Sequence, residues 1–120
     1  MISSLLLRVS TVLLLCGLVF GITMGMREDF TLAPAHAHFN LIGFVLMFLV
    51  GLYYRIVPAA GAGLLAKIQA GLHIVGALVF PFGIAQTLLG GSVAFTVFGS
   101  LIVLSAMALF AWIVFRTTAA

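Results

Sequence analysis

The chain has 120 residues, of which 65% are hydrophobic and 6% charged, with a formal net charge of +3 and a mean hydropathy of +1.42. A soluble domain carries about 25% charged residues; five Lys and Arg with two acids cannot cover a water-exposed surface. That excludes a cytosolic enzyme, a disordered tail and a nucleic-acid-binding surface, and the single cysteine, Cys16, excludes an internal disulfide framework. What remains is an integral membrane protein, all-α, with one transmembrane domain over residues 1–120.

Crossing a bilayer core of about 30 Å takes about 20 apolar residues in a helix. Charges cut this chain into suitable lengths: 18 uncharged residues between Arg8 and Arg27, 25 between Asp29 and Arg55, and 48 from Ile68 to Phe115. The last run holds two spans with a turn at Gly90-Gly91. The sequence therefore predicts a four-helix bundle with helices at about 3–26, 34–56, 64–89 and 92–115. No period-2 alternation supports strands. The first run is too long for a signal-peptide core and no A-x-A-like site follows it, so the segment is expected to be retained.

In the first helix, Gly17, Gly21 and Gly25 recur every four residues and form a smooth face for helix packing. Cys16 lies in the same apolar run and reads as a small buried hydrophobe. The last helix is rich in small residues: Gly99, Ser100, Ser105, Ala106, Ala108 and Ala111. Any small-residue face that the bundle does not use would serve an oligomer or a partner subunit. Arg8, Arg55, Lys67 and Arg116 fall at one end of the spans, and Arg27, Glu28 and Asp29 at the other. The positive-inside rule then places both termini in the cytoplasm and Arg27–Ala33 in the periplasm of a bacterial inner membrane. Trp112, Tyr53 and Tyr54 fit a cytoplasmic-side aromatic belt.

Ionisable residues within membrane helices mark functional sites by default. The chain has three histidines, His36, His38 and His73. His36 and His38 open the second helix just after Pro34, a favourable first-turn residue. Two residues apart, their side chains diverge by about 200° and cannot share one small metal ion. Asn40, Gly43, Met47 and Tyr54 align with His36 on a polar, small face that looks into the bundle. Ile42, Val45, Leu49 and Leu52 align with His38 on an apolar face suited to lipid or to a flat porphyrin. A histidine left unpartnered in lipid is costly, so His38 needs a ligand or a partner chain. For each histidine the alternative is a plain hydrogen bond to a neighbouring helix, and that alternative weighs most on His73. Asn40, Gln69 and Gln86 read as polar packing residues, and Met47 as packing before axial ligand.

The run Ala35-His36-Ala37-His38-Phe39-Asn40-Leu41, continuing through Gly43 to Tyr54 and Pro58, resembles subunit I of the haem-copper oxidases and nitric oxide reductases. In that family's histidine-pair helix, H-x-H is followed by a proline 22 residues after the first histidine, and His36 to Pro58 is that interval. The resemblance implies haem b, with His36 ligating an active-site haem and His38 a low-spin haem. His38-Phe39-Asn40-Leu41 is also similar to a second family helix that supplies a low-spin haem ligand. The match covers about 25 residues, and the family subunit has about twelve helices. Its complete site needs six histidine positions, which three histidines cannot fill, so a self-sufficient oxidase is not expected.

His73 is a weaker candidate ligand. The rise per residue puts it roughly 14 Å from the level of His38, unless Pro81 kinks the third helix. The leading expectation is a b-type haem protein passing electrons from quinol to a periplasmic redox protein. The alternatives are a non-catalytic subunit or assembly factor of a respiratory complex, docking by its glycine face, and a copper or zinc protein using His36 and His38. Arg27 could meet haem propionates, but Glu28 and Asp29 are nearer partners. A transporter is disfavoured, because no intramembrane acid is present.

Overall fold

The structure is a computed structural model that describes residues 1–118. Helix α1 spans Ile2–Arg27, α2 Ala33–Ile56, α3 Leu64–Leu88 and α4 Ala94–Thr118. Each is long and apolar enough to cross a membrane, and no strand occurs among the described residues. At a rise of 1.5 Å per residue, 26 residues in α1 reach about 39 Å, enough to span the hydrocarbon with a turn to spare. The long dimension of the molecule is 50 Å and the others are 27 and 19 Å.

Two antiparallel hairpins build the bundle. In the first, α1 lies along α2 through glycines. A Cβ on Gly51 would sit 3.2 Å from Leu6 Cβ, and one on Gly43 would sit 3.2 Å from Leu13. Further along, Gly17 and Gly21 receive the side chains of Asn40 and His36. Two of the three glycines of the regular α1 face are thus filled from within the chain, while Gly25 has nothing within 4 Å. In the second hairpin, α3 meets α4 at backbone contact. A Cβ on Gly83 would overlap the Phe95–Thr96 peptide, and one on Gly99 would lie 2.7 Å from the Phe80 nitrogen. Gly99 and Ala106 face inward, whereas Ser105, Ala108 and Ala111 remain on the outer face. Cys16 is exposed on the outside of α1 rather than buried, because the inward positions of its turn go to Gly17 and to partly buried Leu13 and Phe20.

The connections explain how the helices end. At the end of α1, Glu28 adopts a left-handed conformation (φ 51°, ψ 33°). Its N–H bonds the Gly25 carbonyl, and the Asp29 N–H bonds that of Met24. This pairing closes the helix with a Schellman motif, on a residue that carries a Cβ penalty there. Asp29 then accepts from the Thr31 N–H at 3.1 Å and the Thr31 hydroxyl at 2.7 Å. These bonds, helped by the Arg27 charge, hold its carboxyl below the ordinary value. An extra helical turn, Pro58–Gly61, follows α2. Gly90 makes the last turn at φ +87°, and the Ser92 hydroxyl caps the Ala94 N–H at 3.1 Å, so α4 starts two residues later than the expected 92. Helix α3 runs through Pro81 without interruption.

The largest departure from the sequence reading lies inside α2. Residues Leu41–Leu46 form a π-helical turn between two α-helical segments. Ile42 turns inward and is buried, and Leu41 takes its place on the outer stripe with Val45 and Leu49.

Candidate functional site

The three histidines occupy three different environments. His36, near the start of α2, points at α1. Its Nε2 lies 3.0 Å from the Gly17 carbonyl oxygen and 3.2 Å from the Asn40 amide. Phe20 meets the ring edge-on at 5.4 Å between centroids. A carbonyl only accepts, so Nε2 carries the proton towards Gly17. The neighbouring Asn40 Nδ2 is itself a donor, so with the proton on Nε2 the two nitrogens form no hydrogen bond, and Asn40 Oδ1 is buried at the Gly17 notch without a partner among the described residues. The glycines of α1 are what let this imidazole approach: a Cβ on Gly21 would lie 2.8 Å from His36 Nε2. The inward face expected from helical spacing is present, with Gly43, Met47 and Tyr54 buried along it.

His73 sits at the centre of a buried polar chain and is 1% exposed. Its Nε2–H donates to the Ile42 carbonyl at 3.0 Å, and its Nδ1 accepts from Gln69 Nε2 at 3.4 Å. The same Gln69 nitrogen lies 3.4 Å from the Ala106 carbonyl, and Gln69 Oε1 accepts from the Tyr54 hydroxyl at 2.9 Å. Both ring nitrogens are therefore used, in one neutral tautomer. The Ile42 carbonyl belongs to the π-turn, where the regular α-helical hydrogen-bond ladder is interrupted. That carbonyl can accept from a side chain on another helix, so α2, α3 and α4 are joined through polar atoms in an otherwise apolar core. Tyr54 is thus an internal residue, not part of an interfacial belt. Tyr53 bonds Thr117 at 2.7 Å, while Trp112 stays exposed.

His38 faces away from both groups. Its Nδ1 lies 2.7 Å from the Pro34 carbonyl one turn earlier, and its ring meets Phe80 of α3 edge-on at 5.2 Å. Nδ1 carries the proton in that bond, which leaves Nε2 as a bare lone pair. Among the described residues nothing hydrogen-bonds this nitrogen. The ring is half-buried and continues into the exposed stripe of Leu41, Val45 and Leu49. His73 is held at Ile42, four residues past His38 on α2, nearer than the spacing expected from helix lengths. Both of its ring nitrogens are already bonded, to Ile42 and Gln69, and neither is turned to His38.

The structure therefore brings His73 together with Gln69 and Tyr54, and His36 together with Asn40 and Gly17, and it brings neither to His38. Met47 is fully buried among core side chains. Among the described residues, no three His, Cys, Asp or Glu side chains gather as a metal-holding group. The polar chain from Tyr54 to Ile42 was not evident from spacing, because it depends on the π-turn. The only hint was two polar residues, Gln69 and His73, four apart on one apolar helix. No protein-family model, curated protein or solved structure matches the chain. What the fold defines is a multi-pass, all-helical bundle with four candidate membrane spans.

Proposed function

We propose that this protein binds haem b through His38 and passes electrons within a bacterial inner membrane, with both termini in the cytoplasm. The observation that carries the reading is the state of His38. One ring nitrogen is anchored to a backbone carbonyl, and the other is bare on an apolar stripe. Histidines that ligate metals are held in this way, the second nitrogen donating to a carbonyl that fixes the tautomer and raises the basicity of the ligating one. In lipid an unfilled imidazole lone pair is costly, and iron would remove that cost.

The residues present would hold a haem iron through His38 without breaking an internal hydrogen bond. His36 and His73 spend Nε2 on Gly17 and Ile42, so either would have to exchange a hydrogen bond for a metal bond. A bound haem supplies one-electron exchange at its iron. The chain's part is to hold the imidazole. The Pro34 carbonyl sets its rotation and Phe80 buttresses one edge, and Leu41, Val45 and Leu49 would give a bound macrocycle a dry surface. Quinol in the bilayer and a redox protein at the Arg27 end are the proposed electron donor and acceptor. The resemblance of the His36–Pro58 run to haem-copper oxidase subunit I supports the same assignment.

A reduced-minus-oxidised visible spectrum of protein from its native host, with extraction to count haem, tests this. A b-type haem signal is expected, abolished in His38→Ala and retained in His73→Gln. Colourless protein, or haem unchanged in His38→Ala, would overturn it. A second reading, a non-catalytic subunit of a respiratory complex, is favoured by the uncovered small-residue face Ser105, Ala108 and Ala111 on α4. It predicts isolation of the chain only within a larger complex, without a cofactor of its own.

A further inference from the structure

The end of the bundle opposite His36 and His38 carries a cleft of about 1030 Å³ between the start of α1, the end of α2 and the start of α3. Its polar lining is Ser3, Ser4, Tyr54, Arg55 and Lys67. Arg55 is not a freely moving cation. Its Nη2 donates to the Ser4 hydroxyl at 2.9 Å, and its Nε lies 3.4 Å from that of Ser3. Two of the five guanidinium N–H donors are used in this way, and the rest are free for an oxyanion.

No carboxylate side chain balances these charges. The only acids of the chain, Glu28 and Asp29, lie beyond the far end of α1, about 39 Å away at the helical rise. The cleft is also not purely aqueous, because Leu5 lines it and Ile56, beside Arg55, is 76% exposed. A cationic fork, a lysine and hydroxyl groups above exposed apolar side chains match a phosphate ester that carries acyl chains.

We propose that this cleft binds the phosphate head group of an anionic glycerophospholipid in the leaflet at the Arg55 end. Arg55 takes two phosphate oxygens, Lys67 adds a second charge, and the acyl chains run down past Leu5 and Ile56. A zwitterionic lipid brings its own cation into the cleft and is bound less well. The proposal does not depend on haem and concerns the opposite end of the molecule.

The test is native mass spectrometry of the delipidated full chain, re-equilibrated with equal amounts of phosphatidylglycerol and phosphatidylcholine. One phosphatidylglycerol is expected to be retained preferentially. Arg55→Gln and Lys67→Gln should each weaken retention about fivefold, the effect of one basic residue near an anionic surface. Arg27→Gln, at the other end, should leave it unchanged. Equal retention of the two lipids, or undiminished selectivity in the Arg55→Gln/Lys67→Gln double variant, would overturn the proposal. So would displacement of the lipid by inorganic phosphate alone, which would make free phosphate the ligand. If Arg55→Gln loses its helical circular dichroism, Lys67→Gln decides, since Lys67 is exposed and its removal disturbs no packing.

Discussion

Replacing Gln69 with leucine keeps the volume of a buried side chain and removes the centre of the polar chain joining α2, α3 and α4. The Tyr54 hydroxyl loses its acceptor, and His73 Nδ1 loses its donor. The Ala106 carbonyl loses only a long contact and keeps its place in its own helix. An orphaned buried group costs about 1–3 kcal/mol in water-soluble proteins, but interhelical hydrogen bonds in membranes average about 0.6 kcal/mol and reach about 1.7. Two orphans valued on the membrane scale give about 1–3 kcal/mol of destabilisation. Tyr54→Phe orphans only Gln69 Oε1 and should cost about 1 kcal/mol. The two effects should not add, because both act on one hydrogen bond. Unfolding in mixed detergent micelles with increasing dodecyl sulfate, followed by helical circular dichroism, measures all three variants. A stability of Gln69→Leu equal to wild type, or strict additivity in the double variant, would refute the view that this chain of polar atoms holds the three helices together.

Two further outcomes follow from the packing and the loop. Gly17→Val places its side chain where Asn40 sits and should cost about 1–3 kcal/mol by overpacking, whereas Gly25→Ala meets nothing within 4 Å and should be neutral; the same detergent titration separates them. Asp29 has its carboxyl held below its reference value of 3.8 chiefly by Thr31, so its contribution to stability is complete above that value and lost as pH falls through the lower, folded one. Carboxyl titration by NMR should show Thr31→Val raising the Asp29 pKa towards 3.8.

Charge spacing bounded the long apolar runs, because the core of a membrane span must be long and uncharged, and Gly90-Gly91 divided the last run into two helices; the few charges within the helices, Arg8 among them, lie towards their ends. The hairpin contacts were legible only in part. The regular spacing of Gly17, Gly21 and Gly25 announced a close approach, but Gly76, Gly83 and Gly99 do the same work in the second hairpin without a regular pattern. The divergence of His36 and His38 followed from helical geometry and holds in the structure. The partners of each could not be read, since a bond such as His38 to Pro34 is local while His73 to Ile42 spans 31 residues. Tyr54 had two readings, on the inward face of His36 and in the interfacial belt, and the structure takes the first; its hydroxyl partner could not be read for a related reason. An aromatic residue near a helix end looks interfacial until the facing helix supplies a Gln69 for its hydroxyl.

The wide turn at Leu41–Leu46 works as a phase adjuster. It holds one more residue than an α-helical path between the same two ends, so the segment before it is rotated by about 100° relative to the segment after it. The Tyr54 end of α2 and its histidine end are therefore indexed independently to their neighbours. Removing any one residue between 41 and 46 would leave the composition nearly intact and give a smoother helix. It would also force a choice: either Tyr54 keeps Gln69 and His36 swings out of the glycine notch, or the notch is kept and the other end turns away. Within this stretch of α2, a single deletion would be more damaging than most substitutions.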